Sequence, residues 1–185
     1  RDKKRWRLAE APEGGAMADL GSHALSMLVA ALGEKSLRVV DACRSGSFSD
    51  VPERSDLCSS VLLRDERSGA AGNLTASRVC AGSGDLLELE VWGTKGTFRF
   101  SSERPDEVQV YLKETEQWTR KFFGNNYLPV TKFPTPHVPA GWLRSLMHAE
   151  YLFLGGEDDQ AIVPTLSHGL DVQRLIREVA ERMDS

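Results

Sequence analysis

Asp19 and His23, four residues apart, are the side chains in this sequence best suited to moving a proton. Histidine ionises near neutrality, so it can take or give a proton at physiological pH. A carboxylate one helical turn away can orient the ring or favour its charged form. The pair stands in Gly14-Gly15-Ala16-Met17-Ala18-Asp19-Leu20-Gly21-Ser22-His23, where two glycines precede a helical pattern. Spacing alone also suits an ordinary exposed Asp-His pair, which stabilises a helix by only about 0.2–0.5 kcal/mol and is the commoner case.

Other chemistry-bearing residues carry weaker signals. Arg78 falls on a strand pattern, where an exposed strand face explains it equally well. Trp118, Asn125, Asn126 and Tyr127 could line a sugar site through stacking and hydrogen bonds, and read as readily as surface loop. His137 sits among Pro134, Pro136 and Pro139 and reads as loop, while His148 and His168 fall on helical patterns as packing or capping residues. Cys43, Cys58 and Cys80 are odd in number, lie in strand-like runs and have no metal-ligand spacing, so they are expected to be reduced core thiols. No metal site is expected. Gly82-Ser83-Gly84 lacks a third glycine and leads into a strand, so it reads as a loop and cannot cradle a pyrophosphate.

The elements that must position these residues are set by periodicity. Met17, Leu20, Ala24, Leu28, Ala31 and Leu32 form the stripe of a first helix, stopped by Gly33. That stripe centres on Met17, Ala24 and Leu28, leaving Asp19 and His23 on the other side with Ser26 and Ala30. Strand character marks Leu37 to Cys43, Leu57 to Arg64, Asn73 to Cys80, Leu86 to Trp92, Thr97 to Phe100, Val108 to Leu112 and Trp118 to Phe123. Short joins such as Gly93-Thr94-Lys95-Gly96 suit antiparallel neighbours. After an irregular proline-spotted stretch, Trp142 to Leu154 and Ser167 to Met183 read as helices, the last with a stripe of Gly169, Val172, Ile176, Val179 and Met183. Helices at both ends with strands between them predict an α+β fold, an open, mainly antiparallel sheet with helices packed on one face. The other face is left for a partner, and Leu86 and Trp92 nominate it for self-association as a dimer or tetramer.

The 185 residues, 41% of them hydrophobic, suit one domain over residues 1–185. A formal net charge of -4 gives no reason to expect nucleic acid, and the basic start Arg1-Asp2-Lys3-Lys4-Arg5-Trp6-Arg7 reads as a solvated end before it reads as a phosphate-binding arm. No apolar run approaches the roughly 20 residues of a membrane span, and no apolar leader opens the sequence, so a cytoplasmic protein is expected. Asn73-Leu74-Thr75 matches the glycosylation pattern only by chance on that reading.

The glycine pair, Asp19, Gly21 and His23 resemble the signature of the oxidoreductase family of glucose-fructose oxidoreductase, inositol dehydrogenase and MocA. The resemblance extends to Trp6-Arg7, Gly72 with Leu74, Leu89-Glu90-Val91-Trp92-Gly93-Thr94-Lys95-Gly96-Thr97-Phe98, and Ser167-His168-Gly169-Leu170. It implies the C-terminal, substrate-binding and oligomerisation domain of an NAD- or NADP-dependent dehydrogenase, with the N-terminal Rossmann domain missing from this chain. It also implies hydride transfer to or from a sugar, polyol or related hydroxyl compound, with His23 handling the proton and Asp19 positioning it. Some members similar to inositol dehydrogenase carry a strand arginine near the substrate, which would match Arg78. The family also supplies a lysine from a Glu-Lys-Pro segment of its Rossmann domain, and this sequence has none. The chain alone is therefore expected to bind no nicotinamide nucleotide and to be inactive. A noncatalytic binding or assembly module that kept the fold is the alternative.

Overall fold

The computed structural model describes residues 6–45, 54–122, 141–156 and 163–184. The chain gathers into two compact units, residues 1–82 with 164–185 and residues 83–163.

In the first unit, β1 (Leu37–Arg44), β2 (Cys58–Asp65) and β3 (Ala71–Ser77) form an antiparallel sheet in that order. Strand β2 shows how the sheet acquires two faces. Ser59, Val61, Leu63 and Asp65 are buried and alternate with exposed Ser60, Leu62 and Arg64, because successive side chains point to opposite sides. Against the buried face lie α1 (Ser22–Leu32) and α3 (Leu166–Met183), whose Leu25, Val29, Val172, Leu175, Ile176 and Val179 share one core with Val39, Val61, Leu63 and Leu74. The expected helices on one face are therefore present here. Polar ties hold α3 to β1: Arg174 donates to Asp171, Glu178 and the Leu37 carbonyl. Asp171 accepts from the Lys35 N–H at 2.8 Å and Glu178 from the Val39 N–H at 3.3 Å, beside a bulge between Val39 and Asp41.

In the second unit, β4 (Glu88–Gly93), β5 (Gly96–Ser101), β6 (Glu107–Leu112) and β7 (Gln117–Phe122) form an antiparallel meander. Leu89 pairs with Phe100, Val91 with Phe98 and Phe98 with Val110, which makes one face apolar. The other face carries Trp92, Thr97, Tyr111 and Trp118 in one cross-strand row and Glu90, Arg99, Gln109 and Arg120 in the next. No residue of these four strands is fully buried. The same unit contains α2 (Gly141–Phe153). Among the described residues no helix is long and apolar enough to cross a membrane.

Several expectations need correction. The strands form two antiparallel sheets where one was expected, and Gly82 and Gly84 in the run after β3 have φ values of +90° and +54°. Strand β3 stops at Ser77, whose hydroxyl accepts from the Val79 N–H at 3.2 Å, so Arg78 and Cys80 lie past the strand. The cysteines are not core residues: Cys43 and Cys80 are exposed, and Cys58 is half-buried. On α3, Gly169 is exposed, and its neighbour His168 is buried in its place.

Candidate functional site

The start of the first helix is built by contacts from far along the chain. Asp56 is fully buried, and its Oδ2 accepts from the Met17 N–H at 2.7 Å while its backbone carbonyl accepts from the Ala16 N–H at 2.7 Å. A carboxylate there satisfies orphan amides and complements the positive end of the helix dipole. The Ser59 hydroxyl donates to its other oxygen. Gly15, at φ +80°, makes room: a Cβ on it would lie 2.6 Å from Asp56 Cβ and 2.8 Å from the Ala9 carbonyl oxygen. Nothing local marks Asp56 in the sequence, since it stands 39 positions from its partner Met17.

Beyond this cap the chain makes a π-helical turn, Met17–Gly21, before α1 begins. Such a turn holds an extra residue and rotates the succeeding turns by about 100° relative to an uninterrupted α-helix. The fully buried positions are accordingly Met17, Gly21, Leu25 and Val29, while the expected Leu20, Ala24 and Leu28 pack half-buried against the same core. Ser26 does not point away from the core either, because its hydroxyl lies 2.8 Å from Nε2 of buried His168.

Asp19 is half-buried and ion-paired to two guanidinium groups. Arg78, arriving from the end of β3, is in direct contact with its Oδ2, and Arg7 Nε lies 3.6 Å from the same oxygen. The Asp19 and Arg78 side chains are 18% and 19% exposed, against 52% for Arg7, so the Arg78 contact is the shielded one. Burial, then the neighbouring Arg7 charge, push the Arg78 guanidinium below its ordinary pKa. The Asp19 carboxylate pulls the opposite way, and a guanidinium keeps its charge at any pH the fold survives. His23, on the first turn of α1, is exposed. Arg7 is a site residue that the sequence pointed to only through the Trp6-Arg7 pair.

Trp118 belongs to the second unit, 48% exposed on β7, with the Arg99 guanidinium 4.5 Å above its ring and Tyr111 5.5 Å away. Asn125, Asn126, Tyr127 and His137 lie outside the described residues. The His148 ring is 6.4 Å from that of Tyr151 on α2. A cavity of about 280 Å³ opens beside Glu90, Arg99, Arg104 and Glu107, which pair with one another. No set of three or more metal-ligating side chains converges among the described residues. These residues also do not fit a dinucleotide: the Gly82–Gly84 loop runs into β4 and not into a helix, and Asp56 occupies the amides at the glycine-led helix start.

The family described as the GFO/IDH/MocA C-terminal domain matches residues 1–99. A levoglucosan dehydrogenase of Pseudarthrobacter phenanthrenivorans is 25% identical over 204 residues, covering 95% of this chain and 52% of that protein. A solved levoglucosan dehydrogenase complex with NADH and levoglucosan superposes with a TM-score of 0.76 at 22% identity, over 98% of this chain and 52% of its own, a likeness of fold. An NAD binding oxidoreductase from Klebsiella pneumoniae gives 0.74 at 28% identity, over 97% and 51%. The chain spans about half the length of these relatives.

Proposed function

Since the chain belongs to the GFO/IDH/MocA C-terminal domain family, we propose that it forms the substrate-binding half of a nicotinamide-dependent dehydrogenase acting on a sugar, polyol or related hydroxyl compound. The observation that carries this reading is the head of the first helix, where Asp19 is paired with Arg78 and Arg7 while His23 is open to solvent. Oxidising an alcohol removes a hydride and a proton, and the described residues suit the proton. His23 takes it from the hydroxyl as general base, a contribution typically worth about a hundredfold to ten-thousandfold. The nucleotide belongs on this reading to a separate N-terminal Rossmann domain, and the NADH and NAD of the two relatives favour NAD over NADP. Trp118, Asn126 and Tyr127 are nominated for the substrate side, while Arg78, nominated with them from the sequence, is paired with Asp19.

His23→Ala in the full-length enzyme should lower turnover at least about a hundredfold, with nucleotide affinity and melting temperature nearly unchanged. Asp19→Asn should do the same less severely. Near-normal turnover of the correct substrate by His23→Ala sinks the acid-base assignment.

A second reading is a noncatalytic binding or assembly module that retains the fold without nucleotide chemistry. The two separate on the reading frame: the dehydrogenase reading requires a glycine-rich strand-turn-helix and a Glu-Lys-Pro segment encoded upstream of Arg1.

A further inference from the structure

The geometry points to Arg78 as the positioning residue for Asp19, a side chain that acts through the carboxylate and does not itself grip the substrate. This rests on the acid-base reading of Asp19 and His23. Arg78 comes from the end of β3, and Asp19 from the π-helical turn that packs against β3, so their contact joins two elements of the same unit. A carboxylate 18% exposed, next to an arginine 19% exposed, is screened far less than a surface pair. The charged groups in contact with this carboxylate are Arg78 past β3 and Arg7 from the turn Trp6–Leu8.

That constellation has two consequences. Asp19 is taken up by two guanidinium groups, which leaves the exposed His23 as the group to cycle a proton. Two guanidinium charges also more than neutralise Asp19, so its task is to hold a fixed rotamer at the helix head and not to supply bare negative charge to the imidazole. Arg7 is 52% exposed and 3.6 Å away, so it secures the pair less firmly than Arg78. The Nε of Arg78 is buried with no hydrogen-bond acceptor among the described residues. That donor is where a substrate oxygen would bind if Arg78 gripped the substrate directly, and the experiment separates the two roles.

The test is a double-mutant cycle in the full-length protein, with Arg78→Met, Asp19→Asn and the pair, read in melting temperature and in steady-state kinetics. Arg78→Met should lower kcat about tenfold to a hundredfold with KM within about twofold. On the Asp19→Asn background the same change should cost less than about twofold, because the group it acts through is already altered. Arg78→Lys should recover about threefold or more over Arg78→Met without reaching wild type, since charge returns without the fork. Melting effects of the two substitutions should likewise be non-additive. A severalfold rise in KM with kcat intact, repeated on the Asp19→Asn background, overturns the inference in favour of direct substrate contact. Additive melting effects overturn the pairing itself, whatever the activity. Non-additive melting in a wild type that oxidises no sugar or polyol leaves the pair standing and removes the dehydrogenase reading alone.

Discussion

A methyl group on Gly15 would meet the Asp56 side chain at 2.6 Å and the Ala9 carbonyl at 2.8 Å, on a backbone whose φ of +80° already disfavours any other residue. Gly15→Ala should therefore cost about 2 kcal/mol or more in denaturant unfolding, and the displaced helix start should lower turnover with it. Unchanged stability would show that the segment relaxes freely and that the glycine pair has no structural duty. At this scale the sequence was readable where chemistry is local. The glycines, Asp19 and His23 stand within ten residues of one another and could be nominated together. Asp56 and the Arg78 contact could not, because each acts on the helix head from a distant part of the chain.

Among the elements, the β2–β3 hairpin offers a pH-dependent test. The Ser68 hydroxyl and N–H both donate to the buried Asp65 carboxylate, the latter at 3.0 Å, and the Ser68 hydroxyl bond is the chief cause that holds the Asp65 carboxyl below its ordinary pKa. A depressed carboxyl adds stability above its unfolded value and loses it as pH falls through the folded one. Ser68→Ala should thus lower the melting temperature at neutral pH and shrink the difference from wild type below about pH 4. A gap that stays constant across that range would exclude Asp65 as the cause. Among the described residues, the seven strands and three helices were legible to within a few residues, because periods of two and 3.6 survive in the sequence. The most deeply buried line of the first helix was not, although the expected Leu20, Ala24 and Leu28 do pack against the core. An inserted π-helical residue leaves the composition of the stripe untouched while turning Leu25 and Val29 inward. The break between the sheets was also hidden, since the runs on both sides of it read as strand.

For the whole molecule, the β4–β7 sheet is the part that asks for company. Its apolar residues are at best half-buried, Leu86 is 38% exposed and Trp92 80%. Sedimentation should show a dimer or tetramer, and Trp92→Glu should shift it toward monomer with little change in melting temperature. A strict monomer at high concentration contradicts the proposed association. The first unit has a different consequence, which lies in the order of its segments: it opens with residues 1–82 and is completed only by residues 164–185. Leu175, Ile176 and Val179 fill its core from that late segment. A ribosome adding about 5–20 residues per second must therefore finish the whole intervening unit before the helix bearing Asp19 and His23 can gain its full packing. The residues nominated for chemistry are thus made well before the α3 residues that secure them, and premature termination anywhere between β3 and α3 should yield a chain with no finished site.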